Sequence, residues 1–155
     1  MKRRKILIFL GWLILLNGLV RPAALPAGEN RLECSEYGNP FIWVTIGKTK
    51  VKAEVVSSPE KLYLGLGKRW ELPEGQGMLF VMPQREIQEF CMRDMGFALD
   101  FIWLTPGRVA GLTKNVTPQD QQVGYKSPVP VNYILEVPAG FCDRHGIKVG
   151  DKAIW

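Results

Sequence analysis

Apolar and polar residues alternate along much of this chain with the period of two that marks strands half buried in a sheet. Across Thr49–Val56, Val51, Ala53 and Val55 fall on one face, and Lys50, Lys52 and Glu54 on the other. The apolar run Phe41–Ile46 lies between Pro40 and Gly47, as a buried strand would, and Gly47-Lys48 predicts a hairpin joining the two. Further buried strands are expected over residues 78–82, 97–104 and 133–137. Residues 108–112 are expected to pair back after the turn Thr105-Pro106-Gly107, and a last short strand follows at 153–155. Two segments break this rhythm. Ser58-Pro59-Glu60 reads as a helix start, because Ser caps free amides, Pro suits the first helical position and Glu complements the dipole. Leu62 and Leu66 then share a face, and Lys68 and Arg69 fall where cations favour a helix C-terminus. Residues 139–145 predict a second short helix with Gly146 as its stop, and 118–130 a polar, Pro-bearing loop. The sum predicts a mainly-β fold: a compact β-sandwich or barrel-like single domain over 41–155, with two short helices.

Residues 1–27 follow another pattern. Lys2, Arg3, Arg4 and Lys5 precede an apolar run at 6–20 that is broken only by Gly11, Asn17 and Gly18, and a small, Pro-containing stretch follows. That order is the order of an export signal. The run is shorter than the roughly 20 residues a spanning helix needs. The expectation is an exported protein, periplasmic or extracellular, with the leader cleaved near Ala27 or retained as an N-terminal membrane anchor through 6–20. Residues 28–40 then read as a linker. Charge sharpens the division: five of the 20 basic residues (Lys2, Arg3, Arg4, Lys5, Arg21) precede Ala27, leaving 15 against all 15 acidic residues. The remainder is neutral, which removes the basic-surface argument for a nucleic-acid partner. Cys34, Cys91 and Cys142 leave three single-bridge pairings open, as well as unbridged thiols. The chain has no CxxC and no Cys/His ligand spacing, so no zinc, other metal or cofactor is expected.

The order of short motifs from Val51 to Trp155 carries a family resemblance. Glu60 leads a helix toward Gly65-Leu66, and Gly77-Met78-Leu79-Phe80 follows. Next come Phe90-Cys91-Met92-Arg93-Asp94 and Ala98-Leu99-Asp100-Phe101-Ile102. Tyr125-Lys126-Ser127-Pro128-Val129-Pro130, Leu135-Glu136-Val137 and Gly146-Ile147-Lys148-Val149-Gly150-Asp151 complete the series. This pattern resembles the bacterial and archaeal family known as domain of unknown function 192. The resemblance implies a compact β fold, often behind an export signal, and no established activity. The chain departs from the family pattern at Cys91, where Trp is usual, at Asp94, where Asn is usual, and at Ala98, where Pro is usual.

Candidate chemistry concentrates in residues 77–104. Met78, Met82, Met92 and Met95 with Cys91 form a set of soft sulfur ligands suited to Cu(I). Their alternation with Leu, Phe and Val favours core packing instead. Asp94 and Asp100 are a possible acid and base pair, but six residues of extended strand would hold them about 20 Å apart. Asp100, inside an apolar run, is expected to accept backbone amides or an Arg. Cys91 has no neighbouring His, and His145 is expected to stabilise a helix C-terminus. Tyr125 and Ser127, on a loop with Pro128 and Pro130, suit a pocket lip. Trp70, Trp103, Tyr133 and Trp155 offer flat surface for a sugar or peptide, with core packing as the simpler role. The expected function is a small-ligand or glycan-binding module without catalysis, its tentative site formed by Met92, Arg93, Asp94, Asp100, Tyr125 and Ser127. An envelope assembly factor with an exposed apolar patch over 97–103 is the alternative, and a hydrolase using Asp94 or Asp100 a more distant one. The partner is accordingly a small molecule, a glycan or an envelope protein.

Overall fold

In the computed structural model, the structure describes residues 33–120 and 123–155. The expected leader, and residues 28–32 of the expected linker, lie outside them. The elements run β1 (Phe41–Ile46), β2 (Thr49–Val56), α1 (Pro59–Leu64), β3 (Gln76–Glu86), β4 (Glu89–Phe90), β5 (Leu99–Thr105), β6 (Arg108–Val116), β7 (Tyr125–Lys126), β8 (Val131–Pro138), α2 (Phe141–Arg144) and β9 (Ala153–Ile154). Seven strands form one sheet in the order β6-β5-β8-β3-β2-β1-β9, and β4 and β7 pair as a separate ribbon. Within the large sheet only β2 and β3 run parallel, and the crossover between them carries α1. The sheet curls into a half-barrel. An isolated bridge between Arg108 and Lys152 joins its two ends, reinforced by hydrogen bonds from Val109 N to Asp151 O (2.9 Å) and from Ala153 N to Gly107 O (3.0 Å).

Both faces of the sheet are packed. The inner face gathers Val44, Ile46, Val51, Ala53, Leu79 and Ile102, and Phe141 and Cys142 of α2 plug the curl. The outer face gathers Met78, Phe80, Met92, Leu99, Phe101 and Trp103. This accounts for β5, whose residues from Leu99 to Leu104 are all buried: alternate side chains enter opposite cores. Of the methionines expected in the core, Met78 and Met92 are fully buried, Met95 nearly so, and Met82 is half-buried against the outer cluster. Above the outer face, Phe90 of β4 meets Phe80, Phe101 and Trp103 edge-on at 5.0, 6.1 and 5.9 Å, and Tyr125 of β7 meets Phe101 at 5.9 Å. The ribbon is thereby clamped onto the sheet by aromatic contacts.

Helix α1 starts as the sequence predicts, with Ser58 accepting from Lys61 N and Pro59 in the first turn. It ends earlier than the Leu62–Leu66 spacing suggests. Gly65 adopts φ 50°, and a Cβ there would sit 3.1 Å from the Phe80 ring. The chain therefore leaves the helix at Gly65, and Lys68 and Arg69 lie beyond its C-terminus rather than in its last turn.

Candidate functional site

Three ionisable residues organise the outer face near β2, β3 and β8. In the sheet register Glu54 lies opposite Met78, and Met78 opposite Glu136. Side chains in one such row project to the same face, so the two carboxyls flank Met78 with their Cα atoms about 10 Å apart. Glu54 was expected on an exposed strand face. It is 5% exposed because residues 35–39 and the chain after α1 cover that half of β2. Arg69 comes from this covering segment and grips Glu54 with two hydrogen bonds of 2.5 and 2.9 Å. Asn39 and Ser35 donate to the same carboxylate, each at 2.8 Å. Burial opposes ionisation of Glu54, but hydrogen bonds from Arg69, Asn39 and Ser35 outweigh it and hold the carboxyl below its ordinary range. The Arg69 guanidinium also stacks on the Tyr37 ring at 3.9 Å.

Glu136 has the opposite environment. It is 5% exposed and lines the wall of a hollow. Burial pushes it up to about 8, against the pull of the Arg69 charge. One sheet face therefore carries two carboxyls in opposed environments, one whose partners favour its charged form and one whose burial disfavours it.

Two hollows open beside this row. The larger, about 550 Å³, is floored by Glu54 and Arg69 and walled by Tyr37, Phe41, Glu71 and Trp70. Trp70 is 95% exposed at its rim. The smaller, about 180 Å³, lies between the α1 segment and β4 and has Glu136 in its wall.

The residues singled out from the sequence fall in several places. Met92 is buried in the outer core. Arg93 is exposed at the edge of the smaller hollow, donates to Tyr63 O at 3.1 Å and lies over the Tyr63 ring. Asp94 is exposed with φ 57°, and its carbonyl accepts from Lys68 N at 2.9 Å. Asp100 is fully buried and accepts backbone amides of Asn115, Gly140 and Cys142 at 2.8, 3.0 and 2.9 Å, which satisfies donors at the start of α2. Asp94 and Asp100 are not brought together. Tyr125 packs on Phe101, and Ser127 joins β4 to β7 by accepting from Gln88 N and donating to Val129 O. No bridge links Cys34, Cys91 and Cys142. Burial and the nearby Asp100 carboxylate push the Cys142 thiol up to about 12. Cys91 lines the smaller hollow, whereas His145 caps α2, packs on Phe141 at 4.1 Å and bonds Glu74 at 2.9 Å. The apolar stretch over 97–103 is no exposed patch, since Phe101, Ile102 and Trp103 are fully buried. Trp70 departs from the core role expected of it.

The sequence reading missed Tyr37, Glu54, Arg69 and Glu136. For Glu136 a signal existed: an acid inside the run Ile134-Leu135-Glu136-Val137, already read as a buried strand. For Glu54 none did, because strict alternation places it with the exposed lysines.

Comparison with known proteins agrees with this architecture. A family model described as DUF192, Uncharacterized ACR, matches residues 42–155. A crystal structure of a protein of unknown function from Novosphingobium aromaticivorans superposes with a TM-score of 0.72. It is 27% identical, and the match covers 88% of this chain and 94% of that one. A putative transcription regulator from Sinorhizobium meliloti superposes with a TM-score of 0.70 at 24% identity, covering 75% of this chain and 94% of that one. No curated protein matches the chain.

Proposed function

Starting from the fact that the chain belongs to the DUF192 family, a family of unknown function, we propose that this member is a small-ligand-binding module whose ligand is an oligosaccharide held in the cleft beneath Trp70. The observation that carries this reading is Trp70 itself. A Trp that is 95% exposed at the rim of a 550 Å³ cleft presents a large flat ring face on which a ligand can pack. Pyranose rings present C–H faces that pack on aromatic planes, and their hydroxyls need donors and acceptors around the edge. Tyr37 and Phe41 supply further rings, and Glu36, Glu71, Gln76 and the Arg69–Glu54 pair supply polar groups. The volume lies within the range of ordinary ligand sites, about 300–1,000 Å³. Glu54 is already saturated by Arg69, Asn39 and Ser35, which suits a rigid floor rather than a proton-transfer group.

The test is a panel of soluble oligosaccharides titrated by calorimetry against the protein and Trp70→Ala. At least one glycan class is expected to bind, with affinity falling tenfold or more in Trp70→Ala. Binding that survives Trp70→Ala unchanged would move the site elsewhere, and no binding by any glycan would remove the reading. We place this module outside the cytoplasm on the strength of the basic start and apolar run over residues 1–20. N-terminal sequencing of the protein from its host is expected to begin near residue 28. An intact Met1 on membrane-bound protein would favour anchoring, and an intact Met1 on cytoplasmic protein would overturn export.

A further inference from the structure

Beyond the leader the chain is neutral in sum, 15 basic against 15 acidic residues, but its charge is unevenly placed. Lys52, Arg69, Lys114, Lys126 and Arg144 each pair with a carboxylate. The cations at the seam where the ends of the sheet meet do not. There Arg108 of β6 stands directly opposite Lys152 in the isolated bridge. Lys152 also lies beside the β1–β2 hairpin, since its carbonyl accepts from Gly47 N at 2.9 Å, and Lys48 is the next residue of that hairpin. Lys50 falls in one row with Thr45 and Ile154. Lys148 opens the turn that returns to Asp151, whose carboxylate accepts its amide at 2.8 Å. All five cations are exposed, and among the described residues none of them is in an ion pair. Asp151 is the one acidic side chain in residues 47–50, 106–109 and 148–155. Like charges directly opposite across paired strands destabilise the pair, so Arg108 against Lys152 is a local cost that an outside anion would relieve. Apolar groups share this surface. Ala153 points into the inner core, which turns Lys152 and Ile154 outward together. Ile154 and Val149 are both more than half exposed. Trp155 meets Tyr133 edge-on at 4.9 Å, and the two rings wall a hollow of about 400 Å³ with Lys152, Ile154 and the Pro106-Gly107 turn.

We propose that this seam docks the protein onto a bilayer rich in anionic phospholipid, with the five cations among the phosphates and Val149, Ile154 and Trp155 at the level of the headgroups. Two features decide the partner. Four of the five cations are Lys, a hydrated point charge on a flexible stem. That suits a fluid plane of phosphates, whereas the fixed carboxylates of a protein partner favour the two-pronged Arg fork. Aromatic and aliphatic side chains are interleaved with the cations, as suits the layer between headgroups and hydrocarbon, and a nucleic acid backbone would leave Val149 and Ile154 unused. The path of the chain agrees. Glu33, the first described residue, bonds Lys52 two residues along β2 from Lys50, so residues 1–32, with their basic start and apolar run, join the domain on this side. The seam lies at the opposite end of β1 from Phe41, which lines the Trp70 cleft. Docking therefore leaves that cleft open and does not depend on what fills it.

The test uses the full chain with vesicles of phosphatidylcholine alone, or of equal parts phosphatidylcholine and phosphatidylglycerol. Flotation measures binding, and amide exchange locates it, which tells docking at the seam from insertion of residues 6–20. Binding to the mixed vesicles should exceed binding to the neutral ones tenfold or more at about 0.1 M salt and fall steeply toward 1 M, where screening is strong. Exchange should slow at 47–50, 106–108 and 148–155 with the mixed vesicles only. The variant Lys48→Gln/Lys50→Gln/Arg108→Gln/Lys152→Gln should lose both the preference and the slowing. Removing four cations elsewhere, in Lys61→Gln/Lys68→Gln/Arg85→Gln/Arg93→Gln, should hold the preference within threefold. Val149→Asp should weaken binding threefold or more, and Trp70→Ala should change nothing. The proposal falls if both vesicle types bind equally, if the seam gains no protection, or if the two quadruple variants lose the preference alike. Displacement by inorganic phosphate at matched ionic strength would reduce the seam to a site for a free anion and overturn docking. Duplex DNA or polyglutamate binding more tightly than the mixed vesicles, through the same four cations, would also overturn it. Should the first variant fail to fold, protection of the seam in the unmodified protein decides alone.

Discussion

Glu54 and Glu136 share a face of the sheet yet should bend the stability curve in opposite directions. The folded state holds the Glu136 proton more tightly than the unfolded chain, whose value is near 4.5. Its contribution is therefore fully present below that value and is lost as pH rises toward about 8. The slope approaches about 1.4 kcal/mol per pH unit where only the folded state is protonated. Glu54 is depressed, so its contribution is present above 4.5 and is lost as pH falls. Urea unfolding across pH 5–9 should show the alkaline loss in the parent protein and a flatter profile in Glu136→Gln. Asp100 works differently, as an acceptor for three amides. Asp100→Ala leaves those donors unmet and should destabilise by about 3 kcal/mol or more. Asp100→Asn, which keeps an acceptor oxygen, should cost less. Glycan binding per folded molecule should be the same in both.

At the level of elements, the segment from Gly65 to Trp70 decides where both hollows lie, because it lines the smaller one and roofs Glu54. Gly65→Ala would force a side chain into φ 50°, ψ −131°, outside the left-handed helical region, and against Phe80, at a cost of about 1–3 kcal/mol. Amide exchange should accelerate at 62–70 before it changes in β5 or β8. Arg69→Ala leaves the Glu54 carboxylate buried and unpaired and should cost about 3 kcal/mol by chemical denaturation. Arg69→Lys should recover little, because an ammonium cannot reproduce the two-pronged grip. This segment also marks where the sequence stops being readable. β1, β2 and the start of α1 follow from alternation and capping alone. The ribbon of β4 and β7 does not, because two-residue strands carry no period, and its hold on the sheet comes from Phe90 and Tyr125 meeting rings distant in sequence. Arg69 was legible as a cation but not as the partner of Glu54, since nothing local announces a contact across 15 residues. Asp100, by contrast, could be read as an acceptor for backbone amides or an Arg, because an acid in an apolar run has few other fates, and the structure gives it the amides.

For the molecule as a whole, the decisive feature is that the sheet's two ends meet. β9 is only two residues long, which blunts one edge, and the Arg108–Lys152 bridge shields part of the other. Deleting residues 151–155 should remove β9 and that bridge, expose the edges of β1 and β6, and take Trp155 from its edge-on contact with Tyr133. Self-association should then appear by light scattering, together with a lower unfolding midpoint. The same closure has a consequence in time. β1 is synthesised first and β9 last among these strands, so the first strand must wait for the last before its outer edge is paired. At about 5–20 residues per second that wait lasts several seconds. For nearly all of it α2 itself has yet to be made, so the curl stands unplugged and the nascent chain presents a wet, apolar trough to any holdase that reaches it.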